Sequence, residues 1–585
     1  MENLEVRYRH PLLVNRDSED DYDSTPCEDI EDAKTLAELR MIQLSWAIRQ
    51  KKQWQEKLGR PDVVERWKEE AATAQELLPS HQKLSANMIS YVFTELEAYA
   101  RLSEAKTGIQ HACNDATFCS YSLIPDDVTQ VLREGIAELE NVPEDRKDWH
   151  PGSNDQVLDL VHPSLYCLAY GQSLVRDDNG ELSWAQPYRD DEDDNWFSDK
   201  YAWLPSDFFI DASGGASLTS PYINNLPKGN TKLYSIIPSI LSSFIPLFER
   251  VLGAIDATHR PGARRGTSTE ASDAQEEDTP LPGRIIHDGD SDLPCIWPDD
   301  EPPEEYSTAY ANDFVGFPGD TRQERRLAWA ASFPGVRLPD SPPAYQGALE
   351  RDFRVADLRG RTLQCIVKLA NIQLTPEKPS YPGGSWHVEG MLNERIVATG
   401  IYYYDAENIS ESHLQFRTSI PGVTYHAQND DMCTHIVYGL TYDSELVQER
   451  GQISTCAGLS LAFPNIHQHR VSPFHLVDPT KPGHRKILAF FLVDPTIRIP
   501  SASNVAPQQG SWMADFMHDN SEATGVAGTY FARLPVEVRD EIVGLAFMSE
   551  AEAREIREDL MQERGHYVDM YNEEVMRFPY NLCEH

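Results

Sequence analysis

The run LQCIVKLANIQL at residues 363–374 begins a series of short apolar segments, and this series decides the fold class. Each segment has the length of a strand and is separated from the next by Gly, Pro, Asn or Asp. Short strands punctuated in this way are typical of β-sandwiches and jelly rolls. We predict strands at Leu363–Leu374, Ser385–Gly390, Ile396–Tyr404, Leu414–Thr418, Leu459–Phe463, Arg470–Leu476 and Lys486–Val493.

The chain before this region has the periodicity of helices. Apolar residues recur at three- and four-residue steps over Asp32–Leu78, with a break at Arg60–Pro61, and again over Ser85–Ser103. The segment Tyr234–Ile255 predicts an amphipathic helix whose second half is led by a proline. The segment Asp148–Tyr170 is rich in turn formers and aromatics, and predicts packed irregular structure.

The pattern returns to helix after the strands, over Leu534–Gly565, where Ser549 and Glu552 have the spacing of a capping box. The predicted fold class is therefore α+β, with a jelly-roll core wrapped by N-terminal and C-terminal helices. The predicted organisation is an acidic tail at 1–34, a mainly helical region at 35–256, an acidic Pro/Ser-rich insertion at 257–305, a connecting segment at 306–354, the jelly-roll core at 355–510 and a helical appendage at 511–585.

Net charge limits the partners of this chain. Its 585 residues carry 52 Lys plus Arg against 94 Asp plus Glu, a formal charge of −42. Affinity for nucleic acid and for anionic membranes comes mainly from Lys and Arg, so we expect neither as a partner. Much of the acidity falls in 17–32, 190–194 and 257–305, and therefore outside the predicted core.

Cysteine usage and the N-terminal sequence favour a cytoplasmic protein. The nine cysteines are an odd number and include no Cys-x-x-Cys pair, which fits reduced thiols better than a disulfide framework or a zinc ribbon. The first ten residues lack the apolar core of a signal peptide, and no apolar run is long enough to span a membrane. We expect no membrane segment.

One predicted strand carries a pair of metal-ligand residues. The segment YPGGSWHVEG at 381–390 places His387 and Glu389 two residues apart, so both side chains leave the same face of a strand. Further on, LAFPNIHQHRVSPF at 461–474 presents His469 after an apolar strand. Two histidines and one carboxylate form the facial triad of non-haem Fe(II) oxygenases. His467, two residues earlier, remains an alternative to His469.

An arginine follows these residues in chain order. Arg485 enters the apolar run Ile487–Val493, where a cation is costly unless it meets an anion. Its planar guanidinium can hold a carboxylate through two parallel hydrogen bonds. A ligand pair, a distal histidine and a following arginine, in this order, match the template for binding of 2-oxoglutarate.

These motifs resemble two known groups of proteins. Residues of about 360–500 resemble the double-stranded β-helix core of Fe(II)/2-oxoglutarate-dependent oxygenases. The segments 381–394 and 468–474 with DPTKPGHRK at 478–486 also resemble a fungal family of proteins of unknown function. That likeness extends upstream through DWHPGS at 148–153 and SPYINN at 220–225, and covers most of residues 80–510.

The resemblance implies a role for each matching residue. His387, Glu389 and His469 take the role of iron ligands, and Arg485 pairs with the distal carboxylate of 2-oxoglutarate. The chain departs from the pattern twice, because its acid is Glu where Asp is commoner and because Arg485 is followed by Lys486 and not by a serine two residues on.

Other polar residues on or beside the predicted strands are candidates for the pocket lining. Asn371, Tyr381 and Tyr403 are candidate 2-oxoglutarate-binding residues, although packing in the core explains each of them as well. His150 and His162 lie in the aromatic segment before the strands, where hydrogen-bonded core or turn histidines are the simpler explanation.

The expected function is oxidation of an aliphatic C–H bond by an Fe(II)/2-oxoglutarate-dependent oxygenase. The expected cofactors are Fe(II) and 2-oxoglutarate. The expected partners are O2 and a small molecule such as an amino acid or a secondary-metabolite intermediate. One alternative is a metal-dependent enzyme of the cupin type that does not use 2-oxoglutarate. The other is a scaffold without catalysis.

Overall fold

The computed structural model describes most of the chain. The described residues are 7–13, 31–78, 82–177, 179–187, 196–259, 338–423, 431–510, 512, 533–539, 541 and 547–581. Most of the predicted acidic tail, the charge run at 190–194 and nearly all of the predicted insertion at 257–305 lie outside these ranges.

Helices flank the strand region on both sides in the sequence, as predicted. Those before it are α1 (Leu36–Arg49), α2 (Trp54–Leu58), α3 (Pro61–Ala74), α4 (Ala86–Leu102), α5 (Asp126–Glu140), α6 (Thr231–Ala254) and the short α7 (Ala348–Asp352). Two more follow, α8 (Asp431–Tyr438) within the strand region and α9 (Glu550–Tyr571) after it.

Capping residues explain where several helices begin. The hydroxyl of Thr35 accepts from the backbone N–H of Glu38, and Ser85 accepts in the same way from Met88. Ser549 and Glu552 form the predicted capping box at the start of α9. Such caps satisfy N–H groups that have no partner inside the helix. The segment Leu534–Gly565, predicted as one helical stretch, is helical at 536–539 and 541 and again from Glu550, where Ser549 caps α9.

Eighteen strands lie in the described residues, and the long ones belong to the predicted strand region. They are β1 (Gln110–His111), β2 (Phe118–Ser120), β3 (Val157–Val161), β4 (Leu168–Ala169), β5 (Leu174–Arg176), β6 (Leu182–Trp184), β7 (Tyr201–Ala202), β8 (Ser206–Ile210), β9 (Ala216–Leu218), β10 (Arg361–Leu374), β11 (Ser380–Tyr381), β12 (Ile396–Glu407), β13 (His413–Ser419), β14 (Val447–Ser454), β15 (Ser460–Pro464), β16 (Gln468–Val471), β17 (Phe474–His475) and β18 (Gly483–Val493).

Two antiparallel sheets built from these strands enclose the interior. The larger sheet has the order β1-β2-β15-β12-β18-β10-β8-β9, with β3 paired to β10. The smaller sheet has the order β14-β13-β16. Apolar residues from both sheets form one buried cluster, in which Phe416 of the smaller sheet packs against Phe463 of the larger one. The protein thus combines helices with antiparallel sheets, as the fold class predicts.

Helix α6 covers the outer face of the larger sheet. Phe244 and Phe248 of this helix contact the backbone of the sheet at Gly400, where any side chain would collide with their rings. By length and composition α6 is apolar enough to cross a membrane, but 67% of that apolar stretch is buried inside the protein. A helix in the core of a folded domain passes the same test, so this finding is weak evidence for a membrane span.

Three local predictions differ from the structure. Ser385–Gly390 does not form a regular strand and is joined to the smaller sheet by one bridge, between His387 and His469. The predicted strand Arg470–Leu476 is two short strands, β16 and β17, because Pro473 lacks the N–H that a continuous ladder requires. The segment predicted to be irregular contains β3, which extends the larger sheet beside β10.

Candidate metal centre

The smaller sheet and the segment beside it bring three predicted residues together. His387 and His469 form a backbone bridge, in which the N–H of His387 donates to the carbonyl of His469 over 3.3 Å and the reverse bond is 3.0 Å. Glu389 follows on the same side of the segment. The possible ligand atoms of His387, Glu389 and His469 all lie within 4.8 Å of one another.

Asn465 fixes the backbone at the carboxylate. Its side-chain oxygen accepts from the N–H of Glu389 at 2.8 Å, and its side-chain nitrogen donates to the carbonyl of Glu389 at 2.9 Å. The same nitrogen also donates to the carbonyl of Ile396 at the start of β12. Asn465 therefore ties an otherwise irregular segment to the larger sheet, which sets the position of Glu389.

The two imidazoles converge on one carboxylate oxygen. Nε2 of His469 lies 3.3 Å from Oε1 of Glu389, and Nε2 of His387 lies 3.9 Å from the same oxygen. Nδ1 of His387 lies 2.9 Å from the carbonyl oxygen of Ser385. When Nδ1 carries the proton, it donates to this carbonyl and Nε2 keeps a free lone pair. A donor bond of this kind from the remote ring nitrogen is the usual support of a metal-bound histidine.

The ionisation of the cluster also suits a cation. Burial alone would raise the pKa of Glu389, but the hydrogen bond to His469 and the charges of both histidines outweigh it and lower the pKa to about 2. Burial and the neighbouring charge of His469 lower the pKa of His387 to about 4. At neutral pH the cluster therefore offers one carboxylate and a neutral imidazole at His387, which are the forms that bind metals.

These residues fit a divalent metal ion. Bonds of about 2.1 Å at right angles put neighbouring ligand atoms about 3 Å apart. Oε1 of Glu389 is close to this distance from Nε2 of His469, at 3.3 Å, and farther from Nε2 of His387, at 3.9 Å. The donor set of two imidazoles and one carboxylate is that of Fe(II) sites with open positions. Nδ1 of His469 is buried and has no hydrogen-bond partner within the described ranges, so this ring is held by fewer hydrogen bonds than that of His387.

Arg485 lies in the interior, on the face of β18 that includes Ala489 and Phe491 of the apolar cluster. Its side chain is buried and donates a hydrogen bond of 3.3 Å to the hydroxyl of Thr455, and its Nε has no partner among the residues that the structure describes. Among the described residues no carboxylate forms an ion pair with it. Burial without a counter-ion lowers the pKa of this guanidinium.

The aromatic residues around Arg485 include two of the predicted pocket residues. Its guanidinium lies 5.2 Å from the ring centre of Tyr403 and 5.7 Å from that of Phe474. Tyr381 packs on Phe474 with ring centres 5.3 Å apart, and the charge of Arg485 acts on its hydroxyl. The structure thus brings Tyr381 and Tyr403 close to Arg485.

Asn371 lies elsewhere, which corrects its prediction as a 2-oxoglutarate-binding residue. It occupies the opposite face of β10, where its side chain donates to Glu140 of α5 and accepts from the hydroxyl of Tyr404. Successive residues of a strand alternate between its two faces. Asn371 therefore faces away from the interior, whereas the residues on either side of it face inward. Its hydrogen bonds attach helix α5 to the sheet.

Lys368 is an interior residue that the sequence reasoning missed. Its neighbours Val367 and Leu369 pack on the α6 side of β10, so Lys368 faces the interior together with Ile366. The charge of Lys368 lowers the pKa of Glu389 and of His387. A lone charged residue in the middle of an apolar strand was the available signal.

His467, the alternative ligand, is turned away from this cluster. Its Nε2 lies 3.3 Å from Oε1 of Glu31, which also pairs with Arg450 at 3.0 Å. These contacts attach the residues before α1 to the smaller sheet. A second group of two histidines and one acid, His150, Asp159 and His162, also has its ligand atoms within 4.8 Å of one another.

Sequence comparison assigns the chain to a family. It matches the family described as protein of unknown function DUF4246 over residues 86–516, and the N-terminal domain of the same family over residues 3–70. The chain belongs to the DUF4246 family. No curated protein matches it.

Several solved structures are similar to parts of this DUF4246 protein. A bsmA homologue from Methylobium petroleophilum has 12% identity and a TM-score of 0.15, and 23% of this chain and 43% of that protein are covered. The Fe(II)/α-ketoglutarate-dependent dioxygenase TqaL has 17% identity and a TM-score of 0.16, with 32% and 60% covered. The protein IDO from Bacillus thuringiensis has 12% identity and a TM-score of 0.16, with 25% and 55% covered. The chain spans about half the length of these proteins.

Proposed function

We propose that this protein is an Fe(II)/2-oxoglutarate-dependent oxygenase that oxidises an aliphatic C–H bond of a small molecule. His387, Glu389 and His469 would hold Fe(II), and Arg485 would bind the distal carboxylate of 2-oxoglutarate. The bound metal would supply the oxidation chemistry with O2 and 2-oxoglutarate. The reaction is a hydroxylation, a desaturation or a cyclisation.

The strand order supports this proposal. The order β15-β12-β18-β10 in the larger sheet faces the order β14-β13-β16 in the smaller one, with the His387 segment next to β16. We propose that these eight segments form a double-stranded β-helix, with residues 355–510 as the core. In that arrangement the three metal ligands lie at the edge of the smaller sheet and Arg485 lies on the larger one.

The observation that carries the proposal is a buried arginine without an acid, in the same interior as the ligand cluster. A buried cation without a partner is costly, and a ligand carboxylate would remove that cost. The hydroxyl of Thr455 already bonds the Arg485 guanidinium, and Tyr403 and Phe474 shield it from water. These side chains would therefore orient a dicarboxylate, with one end at Arg485 and the other toward the metal ligands.

Release of succinate from 2-oxoglutarate tests the proposal. We expect the protein with Fe(II) to release succinate slowly alone and faster with its substrate, which a panel of amino acids and related small molecules would reveal. Adding Fe(II) and 2-oxoglutarate without oxygen should give a weak visible absorption band. Absence of both signals would contradict the proposal.

Two variants separate this function from its alternatives. Arg485→Ala should abolish succinate release while leaving metal binding unchanged, and His387→Ala should lose the metal. Turnover that is independent of both 2-oxoglutarate and Arg485 would indicate a cupin-type enzyme. If the unmodified protein is folded and binds no metal, a scaffold without catalysis would be indicated. An intracellular location, where Fe(II) and 2-oxoglutarate are available, is part of the proposal.

A further inference from the structure

A cavity lies on the outer side of the smaller sheet, opposite the face that carries His469. It has a volume of about 500 Å³ and lies between the outer face of the sheet and helix α9, with Gly565 and Asp569 of that helix in its wall. The residues that line it from the sheet side include Trp386, Arg417, Arg470 and Glu445. In the pairing of β13 with β16, Arg417 lies opposite Gln468 and Arg470 lies opposite Gln415. These pairs stand on either side of the inward residue His469, so by alternation both arginines lie on the outer face of the sheet.

Two guanidiniums flank the indole of Trp386 in this cavity. That of Arg470 lies 4.4 Å from the indole centre, and that of Arg417 lies 4.8 Å from it. Stacking on an aromatic ring holds a guanidinium in place without using its N–H groups. Both arginines therefore keep N–H donors for other partners.

The hydrogen-bond partners of both arginines are neutral amides. Arg417 donates to the side chains of Gln468 and Asn572, and Arg470 donates to the side chain of Gln415. In the described part of the chain no carboxylate lies within ion-pair distance of either guanidinium. Glu445 and Asp569 also line the cavity, but neither forms an ion pair with these two arginines.

The remaining charges of the cavity lie at its rim. Arg577 pairs with Glu445 at 3.6 Å, and both side chains are more than half exposed. Asp569 is also exposed. Burial lowers the pKa of Arg417, and the charges of Arg470 and Arg577 lower it further against the opposing charge of Glu445. The half-buried guanidiniums of Arg417 and Arg470 therefore give their end of the cavity an excess of positive charge.

We propose that this cavity binds the phosphate group of a small organic phosphate between Arg417 and Arg470. A phosphate monoester carries a charge of about −2 and three acceptor oxygens, which match two guanidiniums that lack a counter-ion. A single carboxylate offers half that charge. The cavity volume also leaves room for the organic part of the ligand beside Trp386 and α9.

The proposed site is linked to the metal-ligand cluster through the backbone. Trp386 immediately precedes His387, and Arg470 immediately follows His469, so the same two segments carry both sites on opposite faces. Phosphate binding does not depend on the proposed oxygenase function, because none of its residues belongs to the ligand cluster. It can be tested on the protein without metal.

Calorimetry with inorganic phosphate and with phenyl phosphate tests the site, at constant ionic strength and with succinate as a dianion that lacks phosphorus. This comparison of three ligands uses metal-free Arg485→Ala protein, because succinate could otherwise bind at the proposed 2-oxoglutarate site. We expect saturable binding of phenyl phosphate and inorganic phosphate, and at least about tenfold weaker binding of succinate. Equal affinity for succinate would overturn the assignment of phosphate. No saturable binding of either phosphate would overturn the site itself.

Variants locate the binding. Arg470→Gln and Arg417→Gln should each weaken phenyl phosphate binding by about tenfold or more, since each removes charge-assisted hydrogen bonds. Arg60→Gln is the matched control, because Arg60 is exposed and does not line the cavity, and the affinity of this variant should equal that of the unmodified protein.

Arg417 also contacts Asn572, so thermal unfolding of the variants should be compared first. Arg470→Lys, which keeps the charge, provides a second variant if Arg417→Gln does not fold. Unchanged affinity in the folded arginine variants would overturn the proposal.

Discussion

Two clusters in this protein have the same composition and different chemistry. His387, Glu389 and His469 form one, and the other consists of His150, Asp159 and His162. Each has two histidines and one acid with their ligand atoms within 4.8 Å of one another. They differ in where the remaining hydrogen bonds go.

The imidazoles of the second cluster are turned toward other partners. Nδ1 of His150 lies 2.8 Å from the carboxylate of Asp159, and the backbone N–H of Ser164 donates to Nδ1 of His162 at 3.2 Å. A neutral imidazole that accepts at Nδ1 carries its proton on Nε2, and so has no lone pair left for a metal. In this cluster Nδ1 of each imidazole therefore already has a partner in the protein.

The carboxylates differ as well. Arg557 of α9 lies 4.0 Å from Asp159 and 2.7 Å from Asp148, so a fixed cation balances the second cluster. Among the described residues, only the two histidines lie within ion-pair distance of Glu389. We therefore expect free lone pairs and a carboxylate without a fixed cation to decide which cluster binds a metal, since residue type and proximity are the same in both.

Removal of one histidine from each cluster should give the largest contrast. His469→Ala is expected to weaken binding of Co(II), used as an air-stable probe, by at least about a thousandfold, because it removes a ligand and opens the site to water. His162→Ala should still bind one equivalent. Titration followed by the visible Co(II) spectrum measures both. A second equivalent in the unmodified protein that is lost in His162→Ala would show that the two clusters are alike.

The cation of the second cluster gives the next largest effect. Arg557→Met should reduce the free energy of unfolding by about 3 kcal/mol, because it leaves the buried Asp159 without a guanidinium and leaves Asp148 with Arg554 as its remaining one. Urea unfolding followed by circular dichroism measures this loss. Arg60→Gln serves as the control, because its ion pair with Asp62 is exposed and its loss should not move the midpoint. A metal-dependent rescue of Arg557→Met would mean that a cation can replace the guanidinium.

The support of the first cluster predicts a smaller effect on metal affinity. Asn465→Ala should weaken Co(II) binding by about tenfold to a hundredfold, since the Glu389 backbone loses both of its side-chain hydrogen bonds. Asn393→Ala is a matched control, because Asn393 is a buried asparagine that bonds Ser198 and Tyr170 and not the cluster. Equal losses of affinity in both variants would indicate general destabilisation.

The alternation of residues along a strand explains what could be predicted from the sequence. Spacing by two placed His387 and Glu389 on one side without any knowledge of the fold. The choice of Asn371 was wrong because an apolar run such as 363–374 does not reveal which face is inside. Lys368 could have decided it, since Asn371 lies an odd number of residues away and so faces the other way.

The pairing of distant segments could not be predicted in this way. His469 meets His387 through a single backbone bridge between segments 82 residues apart in the sequence, and no local pattern encodes it. The same holds for His467, whose partner Glu31 comes from the start of the chain. Sequence reasoning recognised both histidines, but only the structure separates their partners.

The smallest expected effect is the pH dependence of the free energy of unfolding that arises from His162 in the second cluster. The largest influence on His162 is burial, which outweighs the opposing charge of Asp159 and lowers the pKa from 6.5 to about 3. Below pH 6.5 the unfolded chain takes up a proton at His162 that the folded protein does not, so stability present above pH 6.5 is lost as the pH falls toward 3.

His162→Gln keeps an acceptor for Ser164 and removes this proton uptake. Between pH 7 and pH 5.5 the variant should therefore lose about 1.3 kcal/mol less free energy of unfolding than the unmodified protein. Urea unfolding at the two pH values measures this difference. An equal loss in both proteins would mean that His162 is charged in the folded state, and that the second cluster is not satisfied in the way its hydrogen bonds indicate.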